Sequence, residues 1–132
     1  MSVPGIVLQA QQNPEGDILE INFGDIRSGH FQENMLSGSW VLNNINEGDV
    51  PVITVARISG QFVPGVRLVN SEDIELEGLV VQEFADTIEL SYPPGLTSSG
   101  APYKIEVSAT DAILMAENPL EYSLSVQRYG TR

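Results

Sequence analysis

The chain has no cysteine, a single histidine (His30) and a single lysine (Lys104). The missing cysteines exclude disulfides, thiolate metal sites and a cysteine nucleophile. One histidine cannot supply a zinc pair, and a Ser-His-Asp site would have to use His30, which sits in an expected strand beside Phe31. No Gly-x-Ser-x-Gly elbow occurs, and no Gly-rich loop precedes a helical pattern. Asp86-Thr87-Ile88 lacks the glycine of an aspartic-protease motif. Apolar runs are short: Val50-Pro51-Val52-Ile53 and Gly78-Leu79-Val80-Val81 are strand-sized, well below the length of a membrane helix. Met1 to Gly5 show neither the basic region nor the apolar core of a secretory signal, which leaves a cytosolic protein or a piece of a longer exported one.

Basic residues are also scarce. Eighteen acids face six bases, a net charge of -12 over 132 residues. Such a field repels phosphate backbones and anionic bilayers, so nucleic-acid and membrane-surface roles are disfavoured. What it suits is a solvated acidic surface, a cation, or a basic partner.

What the chain does have is alternation. Leu19, Ile21 and Phe23 alternate with Glu20 and Asn22, and Ile74 and Leu76 with Glu75 and Glu77. The same period recurs at Ile88 and Leu90, at Tyr103, Ile105 and Val107, and at Tyr122, Leu124 and Val126. Period two with one polar face predicts half-buried antiparallel strands. Turn residues punctuate them, notably Gly24-Asp25, Gly48-Asp49, Ser59-Gly60 and Pro93-Pro94-Gly95. The expectation is an all-β chain, one antiparallel β-sandwich or jelly-roll-like domain of about eight or nine strands. Residues 1–16 read as an N-terminal extension and 17–128 as the sandwich. Asp111 to Glu117 reads as a loop or single turn before Asn118-Pro119. The expected core comprises the apolar set just named together with Trp40, Ile53, Val55 and Leu68, except for Ile74 and Leu76. Glu20, Lys104, Glu106, Ser123 and Ser125 should face outward.

In order, these pieces resemble the bacterial pre-peptidase C-terminal (PPC) domain family. The opening is Ile21-Asn22-Phe23-Gly24-Asp25-Ile26-Arg27-Ser28-Gly29, followed by the aromatic strand Trp40-Val41-Leu42, the turn Glu47-Gly48-Asp49 and the strand Val52-Ile53-Thr54-Val55. Then come Ser59-Gly60-Gln61-Phe62-Val63-Pro64, Tyr103-Lys104-Ile105-Glu106-Val107 and the closing Glu121-Tyr122-Ser123-Leu124-Ser125-Val126. The aspartates that the family often carries before its aromatic strand are not present. The resemblance implies a non-catalytic sandwich of the extracellular space or cell envelope, attached to secreted peptidases or surface proteins. Some such domains bind calcium and some bind polymers such as collagen.

Calcium takes six to eight hard oxygens from loops. Asn13, Glu15 and Asp17 offer some of these, and Glu33 and Asn34 others, in two regions that lie together in the resembled family. An acidic surface without a site is the competing reading, and no other cofactor is expected. Tyr92, before Pro93, and Tyr129 are candidate exposed ligand contacts. The functional expectation is a non-enzymatic accessory module that binds a partner protein or extracellular polymer, with self-association compatible. The alternatives are a subunit of a homopolymeric surface layer or fibre, and a small carboxylate-dependent hydrolase.

Overall fold

The computed structural model describes residues 19–32, 35–113 and 120–129. Nine strands follow one another: β1 (Leu19–Asn22), β2 (Ile26–Phe31), β3 (Ser37–Asn43), β4 (Pro51–Ser59), β5 (Gln61–Val69), β6 (Leu79–Glu83), β7 (Thr87–Ser91), β8 (Tyr103–Ile113) and β9 (Leu120–Arg128). They form a four-stranded sheet ordered β1-β3-β8-β5 and a five-stranded sheet ordered β2-β9-β4-β7-β6. Every pairing is antiparallel except β1 with β3. The chain is an all-β sandwich.

Two of its turns share one sequence-encoded design. Asn22-Phe23-Gly24-Asp25 and Asn46-Glu47-Gly48-Asp49 both place glycine third, at φ of 91° and 88°, where a side chain would be strained. In each, the Asp N–H donates to the Asn carbonyl at 3.0 Å. The Asp carboxylate in turn accepts from the Asn N–H, at 3.0 Å for Asp25 and 2.7 Å for Asp49. The Asn22 N–H, helped by Arg27, holds the Asp25 carboxyl below the usual carboxylate range. Both Gly-Asp pairs fall in turns, as their punctuation predicts.

Alternation delivers the core between the sheets. Ile21, Ile53, Val55, Leu68, Ile105, Val107, Leu124 and Val126 are fully buried, and Phe23, Trp40, Tyr103 and Tyr122 nearly so. Leu19, Ile88 and Leu90 lie nearer the sheet edges and pack against the core half-buried. The outward set of Glu20, Lys104, Glu106, Ser123 and Ser125 stays out of the core. The two sheets are tied at their centre by aromatics. Trp40 Nε1 donates to the Tyr122 hydroxyl at 2.9 Å, and Phe31 stacks on Tyr122 at 4.8 Å between ring centroids. Phe62 meets Phe31 edge-on at 5.5 Å. The Tyr122 ring lies across Gly29, its partner on β2, where a Cβ would collide with it.

A second knot closes one end of the sandwich. Gly48 N–H donates to the Leu96 carbonyl at 2.8 Å, and Leu96 N–H to the Asp49 carbonyl at 2.7 Å. Leu96 is fully buried beneath this bridge. Arg128 joins it from β9: Nε pairs with Asp49 at 3.1 Å, an N–H reaches the Asn44 carbonyl at 2.6 Å, and the guanidinium lies 4.3 Å from the Phe23 ring centroid.

Two local expectations fail. Ile74 to Glu77 alternates like a strand, yet only an isolated bridge, Glu75 with Val69, forms there. Asn70 explains it: its side-chain oxygen accepts from the N–H groups of Glu72 and Ile74, at 2.8 and 3.0 Å. A local Asx-type turn therefore outcompetes a ladder. Asp111 to Ile113 belongs to β8 rather than to a loop, because Gln61 on β5 pairs with Ile113. Residues 114–117 of that stretch lie outside the described residues.

Candidate interaction surface

The two outer faces of the sandwich differ in chemistry. On the four-stranded sheet, register places Ser39, Glu106 and Arg67 in one row and Glu20, Val41, Lys104 and Val69 in the next. Arg67 pairs with Glu106 at 2.6 Å and with Glu75 at 3.4 Å, Lys104 pairs with Asp73 at 3.2 Å, and Glu20 accepts from the Asn43 amide at 3.0 Å. On the five-stranded sheet the corresponding rows are Ser28, Ser123, Ala56 and Thr87, then Ile26, Ser125, Thr54, Glu89 and Gln82. This face is short-chained, hydroxyl-rich and almost uncharged. Short side chains leave the ridge of a sheet flat and cost little conformational entropy when covered.

The flat face ends at β6, the outer edge of its sheet among the described residues. All five residues of β6 are exposed. Leu79, Val80 and Val81 show 56%, 59% and 55% of their surface, and Phe84, just beyond the strand, 62%. Val80 pairs with Leu90 and so points toward the inner side. It is nonetheless uncovered, because β5, the last strand of the opposite sheet, packs against β4 and β7. β6 therefore overhangs the sandwich. A register shift between Val80 and Gln82 places a bulge at Val81.

Asn13, Glu15, Asp17, Glu33 and Asn34, the expected calcium ligands, lie outside the described residues. Tyr129 is 73% exposed, in keeping with its expected place on the surface. Tyr92 is a correction: it is 2% exposed and belongs to the core. Its N–H donates to the Pro51 carbonyl at 3.1 Å, which carries β7's inward parity one step past the strand, and Gly78 lies against its ring. The spacing Ile88, Leu90, Tyr92 was the available signal, and Pro93 obscured it. Burial, with the negative charge of Glu75, pushes the Tyr92 phenol up to about 12.

The folded value exceeds the unfolded one, about 10. The stability linked to Tyr92 is therefore complete below about pH 10 and is lost as pH rises toward 12. A Tyr92→Phe variant is expected to lose less stability than the natural chain across that window, read from urea midpoints. Equal losses would remove Tyr92 as the cause.

Among the described residues, no three His, Asp or Glu side chains cluster as a metal site would need. His30 is half-buried on β2 and shares the outer face with Glu121, its cross-strand partner.

No family model matches the chain, and no curated protein sequence matches it. Among solved structures it is similar to the pre-peptidase C-terminal domain of collagenase from Bacillus anthracis, with a TM-score of 0.62 and 16% identity. The match covers 87% of this chain and 99% of that one. The chain has the pre-peptidase C-terminal fold. The sequence motifs do not mark the exposed β6, which with Phe84 holds four of the exposed large hydrophobic residues among those described.

Proposed function

We propose that the chain is a non-catalytic accessory module of a secreted or cell-surface bacterial protein, which docks to a partner domain or an extracellular polymer. The observation that carries this is its likeness over nearly the full sandwich to a domain of a collagenase. The hydroxyl-rich face and its apolar edge support the reading, since apolar surface that stays uncovered on a folded domain is a common mark of an interaction site. A net charge of -12 works against close packing of identical copies, which favours an unlike partner over a homopolymer.

The neighbour's parent is a collagenase, so fibrillar collagen is the first polymer to test. Cosedimentation with fibrillar collagen, chitin and cellulose should show saturable retention on one of them, with no hydrolysis of casein or of aryl glycosides. Hydrolysis that a folded His30→Ala variant lacks would overturn the reading in favour of an enzyme.

A further inference from the structure

We propose that β6 is a docking edge, at which an extended segment of a partner protein with alternating apolar side chains and Lys or Arg at its flanks adds as a sixth strand. The proposal rests on the module reading above and names the edge and the chemistry of the partner.

Three observations converge on it. First, β6 pairs only with β7, so its other side presents main-chain N–H and C=O groups with no strand beside them among the described residues. Such an edge templates a further strand, whose main-chain bonds give affinity while side chains give selectivity. Second, its first three side chains, Leu79 to Val81, are apolar and open on both sides of the strand. Leu79 shares the outer face with Ser91, and Val80 the inner side with Leu90. An added strand with alternating apolar residues would lay them beside one of these, and its intervening short side chains beside the other.

Third, the charge around the edge has one sign. Residues 68–103 contain no Lys or Arg but carry Glu72, Asp73, Glu75, Glu77, Glu83, Asp86 and Glu89. Glu75 and Asp73 are paired with Arg67 and Lys104. Glu77 precedes β6 and Glu83 ends it, and Asp86 and Glu89 follow on its turn and on β7. Basic flanks complement this rim. A second copy would bring the same acids edge to edge, which like-charge repulsion disfavours.

The test uses a capped peptide, Lys-Lys-Val-Thr-Val-Thr-Val-Lys-Lys, its Glu-flanked counterpart, and a version N-methylated at alternate residues. The whole chain is titrated by fluorescence anisotropy. The Lys-flanked peptide should bind about tenfold or more tightly than either of the others. It should also slow amide exchange along Leu79 to Glu83. Val80→Lys, at an open position where folding is kept and checked by circular dichroism, should weaken binding by a similar factor. Equal binding of the three peptides, no binding, or no effect of Val80→Lys would overturn the proposal. So would a dimer in sedimentation that Val80→Lys dissolves, since the edge would then belong to a second copy. Collagen or other polymer retention that survives Val80→Lys leaves the module reading standing while the edge proposal falls.

Discussion

Replacing Tyr122 with alanine is expected to cost about 3–5 kcal/mol from lost packing alone, the largest loss from any single change considered. The ring is nearly fully buried, stacked on Phe31, laid over Gly29 and bonded to Trp40. Tyr122→Phe keeps the shape and removes the acceptor, which strands the Trp40 Nε1–H in the core. That is expected to cost about 1–3 kcal/mol. Gly29→Ala should cost about 1–3 kcal/mol, because the new methyl must displace a ring held on three sides. In a Tyr122→Ala background the same Gly29→Ala change should be nearly neutral. Urea unfolding, followed through the emission of Trp40, the chain's one tryptophan, measures all four states of this cycle. An identical Gly29→Ala cost in both backgrounds would show that glycine and ring are not interlocked.

Gly95→Ala is expected to rank next, at roughly 2–5 kcal/mol. Gly95 has φ of 134°, and an added Cβ would stand 2.7 Å from the Gly48 carbonyl oxygen and 3.2 Å from that of Asp49. These are main-chain atoms of the bridge over Leu96, so they cannot swing aside as a side chain can. Gly24→Ala is the matched control. Gly24 also has positive φ, 91°, but nothing lies within 4 Å of its Cβ position. Its cost should be near 1 kcal/mol, the conformational penalty without the collision. Thermal melting of the two variants side by side separates the effects, and equal shifts would mean that the close approach contributes nothing.

The core of β3, β8 and β9 was legible because each strand buries every second residue, and parity alone assigns Tyr103, Ile105, Val107, Tyr122, Leu124 and Val126 inward. The Gly-Asp turns were legible because their chemistry is local. The edge was not. Leu79-Val80-Val81 has the composition of a buried strand, and only the order β4-β7-β6 puts it beyond the opposite sheet. Strand order is set by contacts between residues far apart in the chain, which no short window contains. The acid-only stretch from residue 68 to 103 was visible as composition, but its place beside an apolar edge depends on the pairing of β6 with β7. Tyr92 and Ile74 erred in opposite directions for one reason. Pro93 hid an inward parity, and the Asn70 side chain interrupted an apparent one.

The turn at Asn22 to Asp25 reverses the chain between β1 and β2, and β9 runs antiparallel to β2. Leu19, paired with Trp40 midway along β3, and Arg128, at the end of β9, are accordingly separated along the strand axis. Tension applied through those two points would act along the strands. β1 would be dragged lengthwise past β3, and β9 past both β2 and β4. Ladder hydrogen bonds lie across the strand axis, so sliding loads many of them at once, whereas peeling breaks them one after another. Placed in line within a longer polypeptide anchored to a surface, the sandwich would carry traction as a stiff link rather than pay out as slack.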